Sequence, residues 1–258
     1  MKDNSTGRTI VKKIGLGLLA AAFWVAVWGL CAYFVGLELF LPSPLAVWRA
    51  LQRLVPTAEF WKTVALSLLR VAVGYLPGVL LGVVGGVLTA KVKVLDFLFS
   101  PVLTVVRATP VTSFIMLTLV FLGRDTVPPF IVFLMVLPIV WANVAEGIRT
   151  VDKGLKEVCS LYRLSFPRRM KILYLPHCLP YFSAGAMTAL GLAWKAGIAA
   201  EVLCTPDFSI GKEVYDAKVY LESAEVFAWT AVVVLLSLVL ENLLKYALKR
   251  GKRNRDQG

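Results

Sequence analysis

Long apolar runs separated by short polar, basic intervals make up most of this chain. Ile14–Leu37 carries no charge at all, and Val64–Ala90, Pro101–Leu122, Thr126–Ile148, His177–Leu203 and Val226–Leu244 follow. A helix needs about 20 mostly apolar residues to cross roughly 30 Å of hydrocarbon. The pattern therefore predicts six membrane-spanning helices in an all-α, multi-pass bundle. Ile14–Leu37 is too long for a signal-peptide core and no clear small-residue cleavage site follows it, so it reads as a retained first span. The expected division is a basic, poorly ordered lead-in at 1–13, a first span at 14–37, an outer segment at 38–63, a core at 64–247 that contains a connection at 149–176, and a basic tail at 248–258.

Smaller features refine this outline. Pro42 and Pro44 in "LPSPLAVWRAL" forbid a helix through that point. Ala46–Leu54 then reads as a short helix at the outer surface, with Trp48 at headgroup level, and Trp61 has the same reading. The second span carries Gly74, Gly78, Gly82 and Gly86, a period of four that leaves one face without side chains. The fifth span nearly repeats it with Gly185, Ala189, Ala193 and Gly197. Small residues at this spacing let backbones approach closely in lipid, so tight packing or a subunit interface is expected of both faces. Pro77 and Pro138 interrupt their ladders and are expected to kink their helices.

Composition agrees: 58% of the 258 residues are hydrophobic and mean hydropathy is +0.74. A net charge of +12 by itself suits nucleic acid, but its distribution does not. With Ile14–Leu37 crossing outward, 19 of the 28 Lys and Arg fall in inner segments and 6 in outer ones. That bias places both termini in the cytoplasm and makes the lipid bilayer, not nucleic acid, the expected partner of the charge. Cys31, Cys159, Cys178 and Cys204 form no metal or redox spacing and read as packing residues. His177, the one histidine, lies at a span boundary. Metalloprotease, serine-hydrolase and phosphate-loop motifs are absent, and no metal site or cofactor is expected in this chain. If transport here is driven by ATP, another chain must hydrolyse it.

The inner connection Arg149–Pro176 is different in kind: it bears seven Lys and Arg and has the pattern of soluble helices. Asp152 is placed to cap "KGLKEVCSLYRL", whose Leu155, Val158, Leu161, Tyr162 and Leu164 form an apolar stripe. Ser165 followed by Pro167 then starts a second short helix, "RRMKILYLP", ending at Pro176. An amphipathic elbow of this kind either rests on the bilayer or fills a groove in a partner protein. The segment resembles the signature of permeases of binding-protein-dependent ABC importers: Glu-Ala-Ala, three residues, Gly, nine residues, Ile-x-Leu-Pro. Here it reads Glu157-Val158-Cys159, "SLY", Arg163, "LSFPRRMKI", Leu173-Tyr174-Leu175-Pro176. The spacing is kept, while Arg163 replaces the glycine that makes the elbow's turn. Either Arg163 takes that conformation at a cost, or the turn shifts towards Ser165. "LPSPLAVWRAL", "SLLRVAVGY", "VRATPVTSF" and "LGLAWKAGIAAEVL" also resemble the nitrate/sulfonate/taurine subfamily. The resemblance implies a permease that pairs with a second copy and receives solute from an external solute-binding protein. It also implies docking of cytoplasmic ATP-binding subunits, which use ATP and magnesium, on the elbow through Glu157, Cys159, Arg163, Ser165, Arg168, Arg169, Leu175 and Pro176.

Arg70, Arg107, Lys195 and Glu201 are the charges within spans that stand as functional candidates. One reading is structural, in which the cations reach the nearer interface or form an ion pair. In the other, the second and fifth spans pack through their small faces and bring Arg70 and Lys195 to one level near the outward mouth, favouring an anionic solute, with Glu201 neutralising one of them. A rival to the ATP-driven importer is an ion-coupled secondary carrier. The scarcity of paired intramembrane acids and of an inverted repeat counts against it. A membrane-embedded enzyme or scaffold lacks a catalytic constellation to support it.

Overall fold

The computed structural model describes residues 4–256, and helix is the only regular secondary structure among them. In order these are α1 (Asn4–Val35), α2 (Pro44–Leu54), α3 (Ala58–Lys91), α4 (Lys93–Ala108), α5 (Val111–Phe121), α6 (Val127–Arg149), α7 (Lys153–Leu161), α8 (Phe166–Arg169), a π-helical turn (Met170–Tyr174), α9 (Leu175–Cys204), α10 (Ile210–Val219) and α11 (Ser223–Asp256). Five helices are long and apolar enough to cross a membrane, or six if the bent pair α4–α5 counts as one span.

Three expectations need correction. Pro101–Leu122 is not one continuous helix, because α4 and α5 meet at 103°. Pro110 has no N–H to continue the ladder and disfavours helix at Thr109, which is extended at φ −78°, ψ 131°. The lead-in is helical from Asn4 onward; residues 4–13 contain no proline, and adding residues to an existing helix is far easier than starting one. Residues 1–3 and 257–258 lie outside the described residues. Finally, the second helix of the elbow does not stop at Pro176 but runs on into α9 as one element, Phe166–Cys204. The wider turns at Met170–Tyr174 take up Pro176, whose missing N–H an α-helical ladder would require.

The chain divides into two compact units. One comprises Met1–Trp61 and Glu213–Val232. Ser43 caps α2 by accepting the Ala46 N–H, and α2 buries Val47 and Ala50 against Ala228. Trp28 stacks on Phe227 and Phe60 on Trp229, while Arg53 meets Glu225 at 3.6 Å.

The second unit, Lys62–Lys212 with Val233–Gly258, is organised around α6. The glycine face of α3 lies directly on α6. A Cβ at Gly74, Gly78, Gly82 or Gly86 would fall 2.2 Å from Pro129 O, 2.8 Å from Val136 Cβ, 2.9 Å from Val140 Cβ and 2.6 Å from Trp141 O respectively. Contact partners rise together along both helices, so α3 and α6 run side by side in the same direction. On α9 the order is reversed: Gly185 meets Asn143 and Gly197 meets Val132, so α9 is antiparallel to α6. Gly197 also meets Val71, which puts α3, α6 and α9 at one point. Ile115, Val127, Ile131, Met135, Ala196, Ala200 and Cys204 form the core beside it.

Because no side chain fits between α3 and α6, Gly78→Leu is expected to destabilise the unit by about 1–3 kcal/mol through overpacking. Exposed Leu76→Ala is the control, expected within about 0.5 kcal/mol. Denaturant titration of the chain in nanodiscs measures both.

Candidate functional site

Glu201, on the inward face of α9, is 1% exposed. Its carboxylate accepts from Ser67 Oγ at 2.8 Å, from the Gly211 N–H at 3.2 Å and from Arg70 at 3.5 Å. Ser67 Oγ accepts the Ile210 N–H at 2.9 Å, and Ser209 Oγ accepts the Lys212 N–H at 3.1 Å. These are first-turn amides of α10, which lack intrahelical partners and favour a nearby carboxylate. Gly211 is obligatory here, since a Cβ would fall 2.3 Å from Glu201 Cβ.

Arg70 completes the cluster. It donates to the carbonyls of Asp207 at 2.8 Å and Phe208 at 3.1 Å, and lies 3.5 Å from Asp125. Thr205 and Phe208 hold left-handed φ of 45° and 48°, which costs a non-glycine residue roughly 1–2 kcal/mol each. Arg70 and Glu201 pin the turn between them. Asp207 reaches Lys212 at 3.1 Å and Arg124 at 2.7 Å. The Lys212 hydrogen bond, then the charges of Arg124 and Lys212, hold its carboxyl below the usual carboxylate range.

The expected meeting of Arg70 with Lys195 does not occur. The glycine face of α3 is filled by α6, so the small faces of α3 and α9 are not free to pack on each other. Arg70 is spent on Glu201 and backbone carbonyls, whereas Lys195 lies on the exposed face of α9 in a groove of about 370 Å³ with Thr188, Gly191 and Glu241. Arg107, in the last turn of α4, donates to the Pro138 carbonyl at 2.8 Å. It opens onto a recess of about 210 Å³ between α4, α6 and the end of α3.

The elbow follows α6 at the Arg149 end. Asp152 caps α7 by accepting the Leu155 N–H at 2.9 Å. The turn has not moved to Ser165: Arg163 itself takes φ 47°. Its N–H reaches Ser160 O at 2.9 Å and the Leu164 N–H reaches Cys159 O at 3.1 Å, the paired bonds of a Schellman cap. Ser165 instead flanks α8 in extended conformation, without a side-chain capping bond. Cys159 is buried with Val151 and Leu173, against Leu164 and Tyr174. Arg169 Nε donates to Leu164 O at 2.8 Å, and Lys91 lies 5.0 Å from the Phe166 ring centre. Of the apolar stripe, Leu155, Val158, Leu161 and Tyr162 face away from this core, Leu161 81% and Tyr162 74% exposed, while Leu164 turns in against Cys159. Glu157, Arg163, Arg168, Leu175 and Pro176 are exposed as well.

Sequence reasoning missed α10 and its cap on Glu201, along with Ser67 and Asp125. Ser67 shares the helix face that carries Arg70 and Val71, but nothing in its spacing names a partner 134 positions away.

Two outcomes follow. Glu201→Ala leaves the Gly211 N–H and the Ser67 hydroxyl without their buried acceptor and takes one carboxylate from Arg70, so stability should fall by about 1–3 kcal/mol in denaturant titration. Arg163→Gly should stabilise the elbow by about 1 kcal/mol, because glycine has no left-handed penalty. Slower amide exchange over residues 158–164 would register it, with Arg163→Val moving the other way.

The sequence of residues 78–253 matches the family described as binding-protein-dependent transport system inner membrane component. The nitrate import permease protein NrtB of Leptolyngbya laminosa is 32% identical over 74% of this chain and 68% of its own length. SsuC of Bacillus subtilis (strain 168), named for aliphatic sulfonates transport, is 25% identical over 89% of this chain and 83% of its own. The bicarbonate transport system permease protein CmpB of Synechocystis sp. (strain ATCC 27184 / PCC 6803 / Kazusa) is 29% identical over 74% and 68%. Among solved structures, an amino acid ABC transporter crystallised with histidines superposes with a TM-score of 0.53 at 16% identity, covering 74% of this chain and 90% of that one, a likeness of fold. Six apolar helical segments, an outward-facing elbow before α9 and this match over most of the chain lead to one conclusion: the protein is a multi-pass membrane protein of the binding-protein-dependent transport system inner membrane component family, a permease of the ABC importer type.

Proposed function

We propose that this chain is the membrane-spanning subunit of an ABC importer for a small anionic solute. On this reading ATP, with magnesium, is hydrolysed in separate cytoplasmic ATP-binding subunits, an external solute-binding protein delivers the solute, and a second copy of the chain completes the path. The observation that carries it is the elbow. Leu155, Val158, Leu161 and Tyr162 point away from the chain's own core, while Val151, Cys159 and Leu173 fix the other side. An exposed apolar knob with Glu157, Arg163 and Arg168 around it has the composition of a helix that fills a partner's groove, and the positive-inside bias puts it in the cytoplasm. Relatives named for nitrate, bicarbonate and aliphatic sulfonates support an anionic solute.

The path residues narrow to Arg107 and Lys195. Both are exposed cations within apolar segments, and such a charge faces water or protein rather than lipid. Arg70 and Glu201 serve as a brace for the α9–α10 turn.

Co-purification tests the reading. The full chain in nanodiscs should retain its ATP-binding subunit, and Leu161→Asp combined with Glu157→Lys should weaken that association at least about tenfold, as loss of a central apolar anchor does, while the variant stays inserted. Undiminished association of the variant, or solute uptake that continues without ATP, would overturn it.

A further inference from the structure

A groove of about 950 Å³ runs along α4, next to the recess beside Arg107. One face of α4, from Lys93 to Val105, forms its floor, and Arg149 and the end of α3 close one end. Twelve residues of helix are about 18 Å long. Two bonds fix the depth of this length. Asp96 meets Arg149 at the end of α6, and Arg107 donates to Pro138, the middle residue of α6. The groove therefore extends from one end of a membrane-spanning helix to near its centre, the depth of one leaflet in a hydrocarbon layer of roughly 30 Å. The positive-inside bias makes that leaflet the inner one.

Charge is confined to the mouth. Lys93, Asp96 and Arg149 lie there, and Phe97, Pro101 and Val105 line the way towards the centre. Thr104 stands among them, but its hydroxyl already donates to the Ser100 carbonyl at 2.8 Å. Asp96 and Arg149 answer each other at 2.6 Å, whereas Lys93 has no ion pair or hydrogen bond among the described residues. Lys93 is also the first residue of α4, where a cation opposes the helix dipole, so helix stability does not account for it. Lys91, over the Phe166 ring at 5.0 Å, adds a cation next to this mouth. α4 buries none of its own residues, and Phe97 and Val105 are exposed along the groove. Spread over about 18 Å, the volume leaves a mean cross-section of roughly 50 Å², whereas a helix 10–12 Å across occupies about 80–110 Å². Extended acyl chains fit such a slot and a whole helix does not.

We infer that this groove holds one anionic phospholipid of the inner leaflet. The phosphate lies between Lys93 and the N–H groups of Arg149 that Asp96 leaves free, and an acyl chain follows Phe97, Pro101 and Val105 towards the middle of α6. Cations outnumber Asp96 at the mouth, so a headgroup with net negative charge gains more than a zwitterionic one, as at other basic pockets between membrane helices on the cytoplasmic side. The inference uses the inward placement of the α3–α4 junction but not the importer reading, and each can fail without the other.

Native mass spectrometry of the full chain in detergent, titrated with dioleoylphosphatidylglycerol or dioleoylphosphatidylcholine, tests it through the first lipid bound. Phosphatidylglycerol should bind at least about tenfold more tightly than phosphatidylcholine. Lys93→Gln should reduce that preference about fivefold and leave phosphatidylcholine binding unchanged. Val105→Trp, a larger side chain at an exposed position, should obstruct the apolar end and weaken both lipids at least about tenfold, the worth of about two buried CH₂ groups. Glycerol 3-phosphate, which has the phosphate without the chains, should not displace phosphatidylglycerol at equal concentration. Equal binding of the two lipids by the wild type overturns the site with no variant involved. So does a preference that survives Lys93→Gln, lipid binding untouched by Val105→Trp, or displacement by glycerol 3-phosphate, which would mark a site for free anions. If Val105→Trp separates paired chains and leaves lipid bound, the groove faces a second copy and the lipid site is overturned.

Discussion

α3 and α6 approach so closely that α6 backbone and valine atoms occupy the space where α3 side chains would begin. In lipid there is little hydrophobic gain in bringing two apolar helices together, so packing of this kind is a main source of cohesion. It requires a face with no side chains over four helical turns, which Gly74, Gly78, Gly82 and Gly86 provide. Once that register is set, α9 has one way to close the other side, with Gly197 against Val132 and Val71. Glu201, one turn further along α9, then arrives beside Ser67 and Arg70. The buried brace is thus a product of the glycine contact, and the left-handed turn at Thr205–Phe208 depends on the brace in its turn.

At the other end of α9 the same helix runs without a break into the elbow. A Schellman cap at Arg163 sets the angle between α7 and α8, and the π-helical turn at Met170–Tyr174 carries α8 past Pro176 into α9. The elbow and the brace are therefore two ends of one element, Phe166–Cys204. The cost of a left-handed arginine is offset locally by two backbone bonds and by burial of Cys159 and Leu164 beneath the turn. A residue tolerated in so unfavourable a conformation leaves a long cationic side chain exposed at the tip of the elbow, where glycine would leave none.

Membrane charges divide by whether the chain itself answers them. Arg70, Glu201, Asp96 and Arg149 find partners within the bundle. Among the described residues Arg107, Glu146 and Lys195 form no ion pair, and all three open onto a recess or groove. Charges of the first kind hold elements together. Those of the second kind are kept exposed inside an apolar layer, where the energetic expense demands a solute, water or another protein opposite them.

The sequence by itself determined the class, the spans and the elbow, because these rest on local quantities. Apolar run length against bilayer thickness sets the spans, Pro44 opens α2, and Asp152 and the spacing from Glu157 to Pro176 mark the elbow. It also showed which helix faces are small, but not what they would meet. Only the tertiary structure decided that the glycines of α3 face α6, that Arg70 belongs to Glu201 and not beside Lys195, and that Pro110 turns one expected span into two helices at 103°. The physical reason is the same in each case: the composition of a face fixes how closely a neighbour can approach, whereas the identity of that neighbour is a contest among all the faces of the bundle at once.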